Sequence, residues 1–262
     1  FVICPCERTR AFTDHTTMSA WGNRSSSPLL TRIRDDGLTT LTLLPGKTFT
    51  ANNERTTCGL FNQLETVQLS GKKCHSPSAV GRALGTAGCS VATLKLGDST
   101  FSDDDLSSLV SGAASNTSLT SLDLSAKSLA SLPPLTCFGS LLSLDVSRNA
   151  GLRSVSELPP SLVDLDVSEC GDVSLSAPFP KRVAARDNGS AGWMPAAAVE
   201  CEGLDLSGVK LPREHVVACL ASESLVSLKL RGCGLAAGGA ESKLEACAGS
   251  RLRSLDVSGN PG

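Results

Sequence analysis

The sequence predicts an α/β solenoid with a parallel sheet, and three observations carry that expectation. The string Leu-x-x-Leu-x-Leu recurs, most plainly at Leu119-Thr-Ser-Leu122-Asp-Leu124, Leu225-Val-Ser-Leu228-Lys-Leu230 and Leu252-Arg-Ser-Leu255-Asp-Val257. Its copies fall 18 to 28 residues apart, a period at which one unit cannot bury its apolar side alone and must stack on neighbours. Several intervals between copies also place apolar residues at helical spacing.

Taken in chain order, residues 1–37 do not fit the pattern. Phe1-Val-Ile-Cys4, Leu29, Leu30 and Ile33 are apolar, and Trp21 is large enough to close an end. A terminal unit exposes its core unless it is covered, so this segment is read as an N-terminal cap. The repeat array spans 38–262 in about ten units. They start at Leu38, Leu64, Val91, Leu119, Leu141, Leu162, Pro180, Cys201, Leu225 and Leu252. Each Leu-x-Leu is a short strand with alternating faces, paired in parallel with its neighbours.

The first three and last two spacings are long. In the third unit, Ser102 is a good N-cap, and Asp103, Asp104 and Asp105 suit the first helical turn. Leu106, Leu109 and Val110 then fall at i, i+3 and i+4 on one face. Residues 212–220 and 236–246 read as helix in the same way, and Gly81-Arg-Ala-Leu-Gly85 as a helix or turn. The units over about 141–200 are short. Returns such as Leu132-Pro-Pro-Leu135 and Leu158-Pro-Pro-Ser-Leu162 disfavour helix, because proline lacks an amide donor and fixes φ. The unit from Pro180 is degenerate and keeps only Val183, Ala185 and Asn188 in place.

These units resemble the leucine-rich repeat family. The long ones are similar to its ribonuclease-inhibitor subtype and the short ones to a Leu-Pro-containing subtype. The resemblance implies a curved horseshoe, with the sheet on the concave face and with helices and extended returns on the convex face. Curvature is expected to be stronger before about 137 and after about 200. It also implies that Asn149, Asn188 and Asn260 bind backbone groups of the loop leaving the strand, where other units carry Cys170 and Cys233. The pattern stops in mid-unit at Gly262, so the array is expected to continue in a longer protein.

Composition narrows the function classes. Aromatics are 3% and Tyr is absent, so the core is aliphatic. A net charge of -2 gives no reason to expect nucleic acid or an anionic membrane as partner. No apolar run is long enough for a membrane span. Eleven Cys, several at inward positions, suggest buried reduced thiols and a cytoplasmic setting. Three Asn-x-Ser/Thr triplets, at Asn23, Asn116 and Asn188, are the contrary signal for an extracellular module.

Chemistry-bearing motifs are sparse. His15, His75 and His215 have no recognisable nucleophile motif nearby. Cys4-Pro-Cys6 with His15 lacks the second ligand pair of a structural zinc site. Neither Gly81–Gly85 nor the glycines of 236–240 form a phosphate loop. No enzyme activity, metal or cofactor is expected.

The informative positions are the outward ones on the strands. Asp123, Asp145 and Asp166 are expected to stack as a column of like charge, extended by Asp164 and Glu169 and continued by Asp205. Lys229 and Arg231, with Arg148, Lys181, Arg182 and Arg186, interrupt or flank it. The same Asp residues could instead bond the Ser that follows in Leu-Asp-Leu-Ser. Patterned charge of this kind suits a protein partner with a basic surface. The expected role is a non-catalytic interaction scaffold gripping its partner on the concave face. The alternatives are a constitutive subunit of a large cytoskeletal, axonemal or organellar assembly, and an extracellular recognition module.

Overall fold

The computed structural model describes residues 2–3, 10–11, 40–43, 59, 61–69, 76–97, 101–189, 200–235 and 251–261. Within them the chain is an α/β solenoid of short, in-register strands joined by helical and extended returns. It forms two compact units, residues 1–127 with 135–142, and residues 128–134 with 143–262.

In the first unit, four strands run in parallel: β3 (Thr40–Leu43), β4 (Thr66–Leu69), β5 (Thr93–Lys95) and β6 (Ser121–Asp123). β1 (Val2–Ile3) pairs antiparallel with both β2 (Arg10–Ala11) and β3, so the sheet continues past β3 with strands of opposite sense. Inward residues Leu64, Val67, Val91, Leu94, Leu96, Leu119, Leu122 and Leu124 are buried, stacked layer on layer.

Two helices form the returns of this unit. α1 (Pro77–Leu84) starts with Pro at its first turn, where the missing amide costs nothing, and Ser76 caps it by accepting from the Ala79 amide. α2 (Asp103–Gly112) has a full capping box: the Asp105 amide donates to Ser102 Oγ, and the Ser102 amide to Asp105 Oδ2, both at 3.1 Å. Leu106, Leu109 and Val110 are buried, as the spacing predicted. The two helices meet at glycines. A Cβ placed on Gly81 would lie 2.3 Å from the Leu109 carbonyl oxygen, and one on Gly85 2.4 Å from that of Gly112.

In the second unit, the parallel order is β7 (Ser143–Asp145), β9 (Asp164–Asp166), β11 (Arg182–Ala184), β12 (Gly203–Asp205), β13 (Ser227–Lys229) and β14 (Ser254–Asp256). The degenerate unit keeps register: Arg182, Val183 and Ala184 pair with Asp164, Leu165 and Asp166 on one side and with Gly203, Leu204 and Asp205 on the other. Val183 and Ala185 are enough to hold it, at 2% and 0% exposure. The proline-rich returns are extended, and β8 (Ser154–Val155) and β10 (Ser174–Leu175) pair in a small parallel sheet of their own. Helix returns in α3 (Arg213–Leu220), which buries Val216, Cys219 and Leu220. The helix expected over 236–246 lies outside the described residues.

Polar groups inside the stack are satisfied along one line. Asn149 Nδ2 donates to the Val146 carbonyl at 2.7 Å, and its Oδ1 accepts from the Leu129 amide at 3.1 Å. Asn188 bonds the Val167 carbonyl and the Cys170 amide, and Asn260 the Leu230 carbonyl and the Leu235 amide. Where Cys replaces Asn, Cys170 Sγ donates to the Val146 carbonyl and Cys233 Sγ to that of Leu206, each at 3.2 Å. A thiol supplies only the donor half of what the amide does.

Candidate interaction surface

The second unit's strands present two outward rows. In the first row stand Ser143, Asp164, Arg182, Gly203, Ser227 and Ser254; in the second, Asp145, Asp166, Ala184, Asp205, Lys229 and Asp256. Over β7 to β13 these rows floor an open groove of about 420 Å³.

Each second-row Asp has a local task. Asp145 Oδ1 accepts from the Ser147 amide at 2.9 Å, Asp166 Oδ1 from that of Ser168 at 2.9 Å, and Asp205 Oδ1 from that of Ser207 at 3.2 Å. Asp123 in the first unit does the same with Ser125, whose hydroxyl also donates to it at 2.7 Å. This turn explains the repeated Asp-x-Ser wording: the carboxylate holds the chain as it leaves the strand. Among these aspartates Asp256 is held below the usual carboxylate range, first by the Ser258 hydroxyl and amide, with smaller help from Arg231 and Lys229.

The second carboxylate oxygens face the surface, and the expected column of bare acids is largely neutralised there. Arg182 forks onto Asp164, with Nη2 to Oδ2 at 2.6 Å and Nε to Oδ1. Arg186 Nη2 reaches Asp166 Oδ2 at 3.0 Å, and Lys229 Nζ reaches Asp205 Oδ2 at 3.4 Å. Glu169 is not on a strand. It sits in the turn with φ of 57° and pairs with Arg148 at 3.3 Å. Lys181 meets Glu202 at 3.0 Å. Exposed pairs like these each stabilise by roughly 0–1 kcal/mol, so their effect is to arrange charge more than to hold the fold.

The degenerate unit thus supplies three cations, Lys181, Arg182 and Arg186, to acids on both neighbours. It also leaves a gap: Ala184 breaks the second row, and beside it Gly203 breaks the first. The stem of Arg182 lies across Gly203, where an added Cβ would come within 3.3 Å of Arg182 Cγ. Reading each unit alone misses these pairs. The signal was available in the alignment, where Arg182, Asp164 and Gly203 share one offset.

Asn116 and Asn188 are 5% and 3% exposed. Asn116 Nδ2 donates to the Leu84 carbonyl at 2.7 Å, and its Oδ1 accepts from the Leu119 amide at 2.8 Å. Neither amide is presented by the folded chain. Cys89, Cys137, Cys170, Cys201, Cys219 and Cys233 are thiols. Burial pushes Cys201 and Cys219 up from 9.0 to about 12. His215 lies on α3 with a buried Nδ1 that has no hydrogen-bond partner. Cys4, Cys6, His15, His75 and Asn23 lie outside the described residues. Among the described residues, no helix is long and apolar enough to cross a membrane.

No family model matches the chain, and no curated protein does. Two solved structures with a similar repeat architecture are leucine-rich repeat proteins. The leucine-rich repeat domain of APL1B is 18% identical over 76% of this chain and 51% of its own, with a TM-score of 0.41. The LRIM1/APL1C complex is 17% identical over 85% of this chain and 35% of its own, with a TM-score of 0.41. The chain spans about half the length of the first and about a third of the second.

Proposed function

We propose that the chain is a non-catalytic scaffold that grips a protein partner on the strand face of its second unit. The observation that supports this reading is the groove over β7 to β13. It is open, lined by in-register side chains, and patterned with both signs of charge. Mixed charge selects a complementary protein surface and speeds its approach, whereas a polyanion would meet carboxylates in every part of it. Affinity would come from a broad contact with a few dominant residues.

A constitutive place in a larger assembly would use the same surface with slower release. The buried Asn116 and Asn188 weigh against the extracellular alternative, and the thiols are in keeping with a reducing, cytoplasmic setting.

The test separates charge from turn geometry. Asp145→Asn with Asp166→Asn keeps the side-chain oxygen that the Ser amides need but removes both charges. Partners captured by the full chain and identified by mass spectrometry should bind this variant about tenfold more weakly, with a flatter salt dependence. Equal affinity and equal salt dependence would exclude the strand face as the site.

A further inference from the structure

Along the second unit each strand hands its backbone on in the same way. The carbonyl just before a strand accepts two amides of the next: Lys181 from Glu202 and Gly203, Glu202 from Val226 and Ser227, Val226 from Arg253 and Ser254. The amide just past a strand donates forward, from Leu206 to the Lys229 carbonyl and from Leu230 to the Asp256 carbonyl. The same step covers the inward side chains, so Leu204, Leu206, Leu228 and Leu230 are buried.

The series stops at β14, which ends the strand order and pairs with β13 alone. Leu255 and Val257, in the places of Leu228 and Leu230, are 38% and 48% exposed. Successive residues of a strand turn their backbone groups to opposite edges, and Ser254 and Asp256 turn theirs to β13. The Arg253 carbonyl, both backbone groups of Leu255 and the Val257 amide therefore lie on the free edge. Such a row is a template for another strand, and β14 carries neither proline nor an inward charge to blunt it.

The row is also self-complementary. Its outer acceptor, on Arg253, stands two residues before Leu255, and its outer donor, on Val257, two residues after. We propose that this edge docks a second copy of the chain, with the two β14 strands antiparallel about a two-fold axis at Leu255. Leu255 exchanges both backbone bonds with Leu255 of the partner subunit. The Val257 amide donates to the carbonyl of the partner's Arg253, and the same bond forms in return. Residues directly opposite share a face, so the exposed apolar side chains of both copies cover one another. On the other face Ser254 stands opposite the partner's Asp256, and the two aspartates do not meet. An isologous contact of this kind closes on itself and stops at a dimer.

Sedimentation velocity on the intact 262-residue chain reads the state directly. A monomer–dimer equilibrium is expected, with the dimer fraction rising with concentration. Val257→Pro removes the edge donor, leaves the groups facing β13 in place, and should weaken the dimer about tenfold or more. Leu255→Asp sets like charges against each other on the axis and should abolish it. Ser254→Lys places an ammonium opposite the partner's Asp256 and should tighten the dimer about fivefold. That gain keeps the test valid if either of the first two variants frays the strand. A chain monomeric at every concentration overturns the proposal, as does a dimer indifferent to Val257→Pro and Leu255→Asp. So does a dimer that Ser254→Lys fails to tighten. Species that keep growing with concentration overturn it too, since they report a head-to-tail contact that does not close.

Discussion

Replacing Gly81 by alanine sets two physical effects against each other with opposite signs. In a helix interior, glycine to alanine is ordinarily favourable by about 1 kcal/mol, because alanine loses less backbone freedom on folding. In α1 the new Cβ would lie 2.3 Å from the Leu109 carbonyl oxygen and 3.0 Å from the Leu109 carbonyl carbon and Cα. Ordinary contact starts near 3.4 Å, so α1 and α2 must part by about 1 Å. The obstacle is backbone inside a helix, so no side chain can rotate away. The contact is reciprocal, since a Cβ on Gly112 would lie 2.8 Å from the Arg82 amide nitrogen. Parting the helices thins the packing of Val80, Leu84, Leu106 and Leu109, all at 1% exposure or less. Overpacking of this kind costs about 1–3 kcal/mol, and lost dispersion contacts add to it. The net expectation is destabilisation of about 1–2 kcal/mol, a fall in Tm of about 2–8 °C for a chain of this size. Thermal and urea unfolding followed by circular dichroism would measure it. Gly139→Ala is the control, because nothing lies within 4 Å of its added Cβ. It should be neutral or slightly stabilising, by less than about 1 kcal/mol. A Gly81→Ala variant more stable than the parent would show that propensity wins and that the helices do not meet at glycine.

Two further predictions concern the buried polar groups. Asn149→Ala leaves the Leu129 amide without its partner and the Val146 carbonyl with the Cys170 thiol alone, and should cost about 1–3 kcal/mol in urea unfolding. Asn149→Cys restores a donor, as Cys170 does beside it, and should recover about 1 kcal/mol of that; equal losses in the two variants would refute the donor argument. Cys201 and Cys219 should resist alkylation in the folded chain at neutral pH, since the thiolate is the reactive form. Their pKa is raised by folding, so the folded state holds the proton more tightly. The stability they contribute is fully present below pH 9.0 and is lost as pH rises toward about 12. Urea midpoints across that range should fall less steeply in a Cys201→Ala, Cys219→Ala variant; an unchanged slope would sink this assignment.

The backbone was largely legible in the sequence because two inward residues per strand set register. Each of the ten repeat strands begins two residues after its aligned start, from Thr40 after Leu38 to Ser254 after Leu252, even in the unit at Pro180. Capping chemistry located α2, and proline located the extended returns. What resisted reading was lateral. Gly81 and Gly85 are visible as a spaced pair, but their partners Leu109 and Gly112 lie a whole unit away. The acidic column is visible as a list of Asp, but its neutralisation depends on Arg182 and Arg186 reaching sideways. The turn role of those same Asp was legible from Asp-x-Ser, since that bond closes within three residues.

The constant two-residue offset holds although the units differ in length from 18 to 28 residues. Length changes are therefore absorbed in the returns, and within each unit the ladder keeps phase. The two faces of each unit are thus free to diverge independently. A loop gained or lost behind a strand leaves the displayed side chains where they were, and a changed displayed residue asks nothing of the loop. The displayed surface of such a chain is modular at the level of single strands. Exchanging one unit for another would rewrite one short column of contacts and leave the rest of the surface in frame.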